Sequence, residues 1–521
     1  LVSGEALNHS GTATIGSPNA ASYTISNLSG ITIADGSGGA ASNYTLTGGT
    51  HNFIVNRRVV GVSGTRLYDA TTNAVASDLS THANLVGTQT LTLSGTGTIA
   101  SKDVGSNKTV SVGTLALADG SNGGLAANYT LTGGTHQLTV NQRPLNATLA
   151  RQYDGTTNAA GSTLSSLDAL QGGETLTMTG SGTAASANVA NGITMSSNGN
   201  LALANGTGAA SNYSLNSTVI NIAKRVLNSS GSKTYDANTN ALAADITLSN
   251  LVSGEALNHS GTATIGSPNA ASYTISNLSG ITIADGSGGA ASNYTLTGGT
   301  HNFTVNRRVV GVSGTRLYDA TTNAVASDLS THANLVGSET LTLSGTGTIA
   351  SKDVGSNKTV TVGTLALADG SNGGLAANYT LTGGTHQLTV NQRPLNATLA
   401  RQYDGTTASA GSTLSSFDAL QGGETLTMTG SGTAASANVA NGIAMSSNGN
   451  LALADGTGAA SNYSLNSAAI NITQRVLTSS GSKIYDANTN ALAADITLGN
   501  LVSGEALNHS GTATIGSANA G

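Results

Sequence analysis

Residues 90–93 (Thr-Leu-Thr-Leu) alternate polar and apolar side chains, and residues 109–112 (Thr-Val-Ser-Val) repeat the alternation. Alternation of this kind, rich in β-branched residues, is typical of strands with one buried and one solvated face. Gly-rich runs such as residues 119–124 (Asp-Gly-Ser-Asn-Gly-Gly) separate these segments and predict turns. The pattern therefore predicts a succession of short strands, about six or seven in each stretch of 80 residues.

A Tyr-Asp pair recurs six times along the chain, at spacings of 85, 82, 83, 85 and 82 residues. An arginine lies ten residues before each of these tyrosines, and an Asn-Tyr pair also recurs six times. Motifs that return at a fixed period indicate tandem structural units. The predicted units are a partial module at 1–57, module A at 58–142, module B at 143–224, module C at 225–307, a second A at 308–392, a second B at 393–474 and a partial C at 475–521.

The sequence also repeats with a longer period of 250 residues, because the three unlike modules form a cassette that is duplicated. Residues 1–271 and 251–521 differ at 18 positions. Both ends of the chain fall inside a repeat, which predicts that the sequence is a window of a longer tandem array.

The composition excludes several classes of protein. The 521 residues include 69 Gly and no Cys, so disulfides and thiolate metal sites are excluded. Only 8% of residues are charged, compared with about 25% in ordinary globular proteins. The net charge of −6 provides no basic stripe for nucleic acid, and no apolar run approaches the roughly 20 residues of a membrane span.

The expected fold is all-β, a tandem array of small β-sandwich-like modules of about 83 residues. The alternative is a parallel β-solenoid, in which each period of 83 residues forms about four rungs of ~20 residues. Residues 138–145 leave almost no loop at a module boundary, so the last strand of one module should run directly into the next. The Ala-containing stretch at 73–86, with its counterpart at 240–252, is the one candidate for a helical turn.

The Tyr-Asp and Asn-Tyr motifs supply most of the aromatic residues and are expected to anchor the module cores. The Asp should initiate the following turn, and Arg151 should pair with Asp154 at the surface, where an ion pair contributes little. The predicted anchors are Tyr68, Asp69, Tyr153, Asp154, Tyr235, Asp236, Tyr318, Asp319, Tyr403, Asp404, Tyr485, Asp486, Tyr44, Tyr129, Tyr213, Tyr294, Tyr379 and Tyr463.

Residues 153–159 (Tyr-Asp-Gly-Thr-Thr-Asn-Ala) resemble the YDG-type repeat of large bacterial surface proteins. Together with the related mostly-β glycine-rich (MBG) repeats, these modules occur in filamentous haemagglutinin-like adhesins. The module ending at residues 128–135 (Asn-Tyr-Thr-Leu-Thr-Gly-Gly-Thr) is also similar. The sequence departs from the pattern where Ala70 and Ala237 replace Gly155, and where Gln89 replaces Glu174. The resemblance implies a secreted or cell-surface adhesive fibre, often exported by two-partner secretion, and does not imply an enzyme.

Two kinds of residue in the sequence are candidate metal ligands. The Gly-rich loops each present one Asp as a weak calcium candidate, whereas calcium takes six or more oxygens and usually several carboxylates. At Asn205 even this carboxylate is missing. His51, His136, His301 and His386 follow Gly-Gly-Thr and are expected to be solvated strand residues. The calcium candidates are Asp35, Asp119, Asp285, Asp369 and Asp455.

The leading functional hypothesis is a structural extracellular filament or stalk of a bacterial adhesin, which attaches cells to surfaces, other cells or biofilm matrix. One alternative is a filament subunit joined head-to-tail by strand donation, and another is a repetitive glycan- or calcium-binding module. The expected partners are neighbouring modules or copies of the same chain, with surface glycans or matrix as further candidates. We expect no catalytic residues, no cofactor, no nucleic acid and no transmembrane segment.

Overall fold

The computed structural model describes residues 1–275 and 277–519, so the last two residues of the predicted partial module at 475–521 lie outside the described residues. The chain divides into two compact units. The first A and B modules lie in one unit, and the second A and B modules lie in the other. The first unit contains Leu1–Asn228, Leu248–His259 and Ile283–Gly299, and the second contains Ser229–Thr247, Ser260–Thr282 and the chain from Thr300 onward.

Short strands form nearly all the regular structure of modules A and B. The strands of A are Arg58–Val59, Gly61–Leu67, Asn73–Val75, Thr81–Ala83, Leu91–Ser94, Thr96–Ile99, Gly105–Ser111, Ala116–Asp119, Tyr129–Thr130 and His136–Asn141. The strands of B are Arg143–Gln152, Thr163–Leu167, Leu176–Thr179, Thr183–Ala184, Ala190–Ser197, Ala202–Asn205 and Tyr213–Ala223. The same strands recur 250 residues later, from Arg308–Val309 to Tyr463–Thr473.

Module C and the two partial modules are also built from short strands. The strands of C are Arg225–Val226, Asn228–Thr234, Asn240–Leu242, Ile246–Ser249, Leu257–Thr264, Ser272–Thr274, Ile281–Asp285, Tyr294–Thr295 and His301–Asn306. The partial modules contain Asn8–Gly11, Ala21–Thr24, Ile31–Ala34 and Asn52–Val55, and Thr478–Gly481, Asn490–Leu492, Ile496–Gly499 and Thr512–Thr514.

Single turns of 3-10 helix interrupt the strands at regular places. The stretch at 73–86, considered as a helix from its sequence, forms a strand, one such turn and a second strand. The β-branched and polar residues around this turn do not provide the apolar face that a longer helix would bury. The turns are Ala41–Asn43, Ala76–Asp78, Ala126–Asn128, Ala210–Asn212, Ala243–Asp245, Ala291–Asn293, Ala326–Asp328, Ala376–Asn378, Ala460–Asn462 and Ala493–Asp495.

Each of modules A and B has a main sheet covered by a two-stranded ladder. In A the ladder pairs Leu91–Ser94 with Ala116–Asp119, and its Leu93 and Leu117 pack against the buried core. The main sheet of A has the strand order Asn73–Val75, Thr96–Ile99, Gly105–Ser111, His136–Asn141, Gly61–Leu67, Thr81–Ala83. The main sheet of B has the order Thr163–Leu167, Arg143–Gln152, Tyr213–Ala223, Ala190–Ser197, Thr183–Ala184.

These sheets confirm the predicted all-β, sandwich-like modules. The alternation seen in the sequence matches the burial, since Leu138 and Val140 of the strand His136–Asn141 are almost completely buried. Most strand pairs within a module are antiparallel. The solenoid alternative is therefore wrong, because it requires parallel rungs stacked along the whole period.

The first and last long strands of each module pair with each other in parallel. In A, Gly61–Leu67 lies beside His136–Asn141, and in B, Arg143–Gln152 lies beside Tyr213–Ala223. The chain consequently enters a module at one end of this pair and leaves it at the other. Only Gln142 separates the last strand of A from the first strand of B, which confirms that the modules are joined almost without linkers.

Candidate functional site: the junction between modules

Tyrosines of successive modules meet at the junction between A and B. Tyr68, from the Tyr-Asp motif of A, packs edge-to-face against Tyr213, from the Asn-Tyr motif of B, with ring centroids 5.2 Å apart and an interplanar angle of 76°. Both rings are buried in one cluster that also includes Leu145 and Leu176 of module B. The hydrophobic core of A therefore continues into B.

A glutamate of module B accepts hydrogen bonds from both tyrosines. Tyr68 Oη donates to Glu174 Oε1 at 2.7 Å, and Tyr213 Oη donates to Glu174 Oε2 at 2.8 Å. Lys102 of module A also donates to this carboxylate, and its Nζ lies 5.6 Å from the centroid of the Tyr68 ring. The Glu174 side chain is only 8% exposed. A buried carboxylate is costly unless it is paired, and here three donors from two modules pair with it.

Two further side chains connect the modules beside this carboxylate. Asn212 of B donates from Nδ2 to Asp103 Oδ1 of A at 2.9 Å, and its Oδ1 accepts from the backbone N–H of Val104 at 2.9 Å. Arg143 Nε of B donates to the backbone carbonyl of Tyr68 at 2.7 Å. The arginine, asparagine and tyrosines that recur in the sequence therefore meet at one place.

The same arrangement is present at the later junctions. Its members are two tyrosines, one from each module, and a glutamate of the following module that accepts from both hydroxyls. The sets are Tyr153, Tyr294 and Glu255; Tyr235, Tyr379 and Glu339; and Tyr318, Tyr463 and Glu424. Tyr403 also donates to Glu505. In the first part of the chain, Tyr44 donates to Glu5 and Tyr129 donates to Gln89.

The third residue of the Tyr-Asp motif fits the loop that carries this glutamate. Ala70 has a φ of +64° and Gly155 a φ of +77°, so both lie in the left-handed region that favours glycine. A Cβ at Gly172 would lie 2.8 Å from the Cβ of Ala70, whereas a Cβ at Gly155 would lie 2.8 Å from Cγ1 of Val252. At these two positions the junction therefore has room for the side chain of Ala70 or of Val252, but not for a second side chain opposite it.

The turn after each buried tyrosine is held by an arginine or lysine. Asp69 Oδ1 accepts from the backbone N–H of Thr71 at 2.9 Å, as predicted for a residue that initiates a turn. Arg66 pairs with Asp69 at 2.6 Å and donates to the carbonyl of Thr71 at 2.6 Å. The expectation of a surface pair is wrong for the arginine, since the Arg151 side chain is only 6% exposed in its pair with Asp154. Its guanidinium organises the turn from the inside.

Burial and hydrogen bonding shift the pKa values of the junction groups. Burial and the hydrogen bond to Glu174 raise the pKa of Tyr213 from 10.0 to about 12. For Glu174, burial acts to raise the pKa, but the hydrogen bonds from Lys102 and the two tyrosines outweigh it, so the pKa lies below its usual value. The carboxylate is consequently charged and the tyrosines are neutral at pH 7.

The structure places the predicted Tyr anchors differently from the sequence analysis. Most of them are buried, but they lie at the module junctions instead of the centre of one module. Tyr485 is 62% exposed. The junction roles of Glu174, Arg143 and Asn212 are not evident from the sequence. Their recurrence once per module was the available signal, and it does not distinguish a contact within a module from a contact between modules.

The proposed calcium loops use their aspartates to close a turn. Asp119 Oδ1 accepts from the backbone N–H of Ala126 at 2.7 Å, and Asp35, Asp285, Asp369 and Asp455 accept from equivalent backbone groups. Asn205 makes the same contact with its amide oxygen. In residues 1–275 and 277–519, no group of three or more His, Asp or Glu side chains is placed to hold a metal ion.

The histidines that follow Gly-Gly-Thr are not solvated strand residues, contrary to the expectation. His136, His301 and His386 are buried. His136 Nε2 lies 2.8 Å from the carbonyl oxygen of Leu131, and His386 makes the same contact with Leu381. His51 is partly buried and contacts Leu46 O at 2.7 Å. These rings close the Gly-Gly turn before the last strand.

The fold and the repeated junctions define a tandem repeat protein built from small β-modules. The model of the YDG domain family matches residues 56–137, 136–220, 223–301, 304–388 and 385–471. The chain therefore belongs to the YDG domain family, as the resemblance of its Tyr-Asp-Gly motifs predicted. A search of curated proteins found no match to the chain. In the described part of the chain, no helix has the length and apolar character that a membrane crossing requires.

Removing the junction carboxylate should uncouple modules A and B. We expect Glu174→Ala combined with Glu424→Ala to lower the free energy of unfolding by about 3 kcal/mol per junction, since two buried hydroxyls lose their acceptor. Glu174→Gln with Glu424→Gln is the matched control, because Gln89 occupies the equivalent position naturally. Urea unfolding followed by tyrosine fluorescence measures both variants. Equal losses in the Ala and Gln variants would contradict this role of the carboxylate.

The raised pKa of the junction tyrosines predicts a loss of stability in alkali. The pKa values of Tyr213 and Tyr463 are raised to about 12, above the ordinary 10.0, so their contribution is complete below about pH 10 and is lost as the pH rises to 12. Urea unfolding at several pH values between 8 and 12 measures this slope. The variant with Tyr213→Phe and Tyr463→Phe should be less stable at pH 8, and its free energy of unfolding should fall less steeply above pH 10. An unchanged slope would contradict the raised pKa values of these tyrosines.

The packing around the third residue of the Tyr-Asp motif predicts different losses of stability for a Gly→Ala and an Ala→Gly substitution. Gly155→Ala with Gly405→Ala should cost about 1–3 kcal/mol, because the new methyl group meets Val252 and Val502. Val252→Ala with Val502→Ala should restore part of this loss. The reverse change, Ala70→Gly with Ala320→Gly, should cost less, because relief of the left-handed alanine offsets the lost packing of its methyl group against the junction cluster. Thermal unfolding of the three variants tests this packing. Similar losses of stability in the Gly155→Ala and Ala70→Gly variants would contradict it.

Proposed function

We propose that this chain is part of an extracellular structural filament or stalk of a bacterial adhesin, located at the cell surface. The observation that carries the proposal is the way modules follow one another: parallel terminal strands, one-residue connections and the same polar junction each time. This arrangement can be extended by adding modules, since each module needs only its neighbours. In this role the partners of a module are its neighbours.

The surface chemistry supports a structural role outside the cell. Charged residues make up 8% of the chain, and many of them are used inside turns and junctions. Many of the exposed side chains are Ser, Thr and Asn, including the strand residues Thr92 and Thr177. A surface of this kind has few ionic contacts that salt would screen. Attachment by many weak contacts along such an array would benefit from avidity.

The proposal treats the chain as a structural protein and not as an enzyme. The buried carboxylate of Glu174 accepts hydrogen bonds from Tyr68 and Lys102 of module A and from Tyr213 of its own module. The aspartates of the Gly-rich loops accept backbone hydrogen bonds. In each case the polar group has a structural partner, so the leading use of these groups is to hold the modules together.

The duplicated cassette offers a clean test of the proposal. Deleting residues 251–500 joins Asn250 to Leu501, which recreates the natural sequence at residues 250 and 251 and preserves the A–B junction of Tyr68, Tyr213 and Glu174. In cells that produce the protein, we expect protease added outside to digest both the full-length and the shortened chain. We also expect the shortened chain to support weaker attachment to a surface under flow.

The control is a variant with Thr92→Ser, a change on a solvated strand face that keeps the hydroxyl group, the junctions and the array length. Its attachment should equal that of the unmodified protein. Protection of the chain from external protease in intact cells, under conditions that digest another surface protein, would overturn the proposed location. Full attachment by the shortened chain would overturn the role as a stalk.

A further inference from the structure

The terminal strands of module B form the longest parallel pair in that module. Arg143–Gln152 and Tyr213–Ala223 are aligned over ten Cα pairs, from Arg143 opposite Tyr213 to Gln152 opposite Ala223, with one register shift after Leu145. The second B module repeats the pair with Arg393–Gln402 and Tyr463–Thr473. These are the strands by which the chain enters and leaves the module.

The direction of the two strands determines how a pulling force acts on them. The chain enters at the start of the first strand and leaves at the end of the last strand, which lies beside the end of the first. Tension between the two connections therefore slides the strands past each other along their own axes. The backbone hydrogen bonds between parallel strands are evenly spaced, so sliding loads all of them together. Pulling the same strands apart from one end would load these hydrogen bonds one after another.

Very short connections transmit tension directly to this strand pair. A single residue, Gln142, precedes the first strand of B, and a single residue, Lys224, follows its last strand. At the entry end, Arg143 Nε donates a hydrogen bond to the backbone carbonyl of Tyr68 in module A. The load passes directly from the last strand of one module to the first strand of the next.

One face of the strand pair is shielded from water by buried side chains. Leu145 and Leu149 on the first strand, and Ile220 and Ile222 on the last, are each at most 2% exposed. Water has less access to the backbone hydrogen bonds from this face, which makes their loss more costly. This burial strengthens the resistance of the pair to sliding.

Module A has the same topology but an interrupted pair. Its parallel strands Gly61–Leu67 and His136–Asn141 are aligned over six Cα pairs, and Arg58–Val59 pairs separately with Tyr129–Thr130. The Gly-Gly turn at residues 131–135 separates the two segments. Module B is shorter at this point, which allows one continuous strand from Tyr213 to Ala223.

We propose that the parallel terminal strand pair of each module is a force-bearing clamp, loaded in shear when the chain is pulled from its ends, and that the clamp of module B is the stronger. The inference rests on the proposed function as a stalk for its biological purpose. The clamp itself depends only on the strand topology. A pulling experiment on the purified chain therefore tests it separately from the location and attachment of the protein.

The chain has no Cys, so pairs of introduced cysteines are unique attachment points for handles in optical tweezers. Gln142→Cys with Lys224→Cys pulls module B in shear. Gln142→Cys with Ser211→Cys pulls the same two strands apart from their starting ends. All three positions are exposed, and the thiols are kept reduced until the handles are attached. Each opening lengthens the tether by about 3.6 Å per residue between the handles, less the folded distance.

We expect the shear pair to open at a force several times higher than the peeling pair at the same loading rate. Arg57→Cys with Gln142→Cys, which pulls module A in shear, should open at an intermediate force. Equal opening forces in the shear and peeling directions of module B would overturn the clamp. If module A opened in shear at a force equal to or above that of module B, the proposal that the longer continuous strand pair makes B the stronger clamp would be wrong. Urea unfolding of each variant without handles confirms that the substitutions leave the fold unchanged.

Discussion

The structure depends on a buried carboxylate that lies between two tyrosines of different modules. Glu174 accepts from Tyr68 of the preceding module and from Tyr213 of its own module, while the two rings pack edge-to-face. Neither module alone satisfies this group, because the donors come from both. The desolvation of a charge inside a small module would be costly, and the hydrogen bonds across the junction offset that cost. The interaction thereby links the folding of one module to the presence of the next.

The shared junction also solves a problem of size. A module of about 83 residues buries a modest share of its surface and is only marginally stable by itself. In modules A and B the buried cluster that contains Leu138 and Val140 continues to Leu145 and Tyr213. The parallel terminal strands bring the chain out at the end where the next module begins. Topology, core and polar junction therefore all favour an array over isolated modules.

The strands, the module length and the near absence of linkers could be predicted from the sequence, because alternation and turn residues are local signals. The junction could not. Tyr68 and Glu174 are 106 residues apart, and a residue that recurs once per module has the same period whether it contacts its own module or the next. Gln89 departs from the Glu174 of the repeat pattern, yet it still accepts a hydrogen bond from Tyr129. The burial of His136 was also missed, because its turn contact with Leu131 depends on the folded Gly-Gly loop.

Calorimetry of the intact chain tests most directly whether junctions couple the modules. One module of about 83 residues that unfolds alone should show a van't Hoff enthalpy of about 60 kcal/mol near 60 °C. Coupling through the Glu174 and Glu424 junctions predicts a value well above this, since more than one module unfolds in each cooperative step. It also predicts a fall toward the single-module value when both glutamates are replaced by alanine. A single-module value in the unmodified chain would contradict the account.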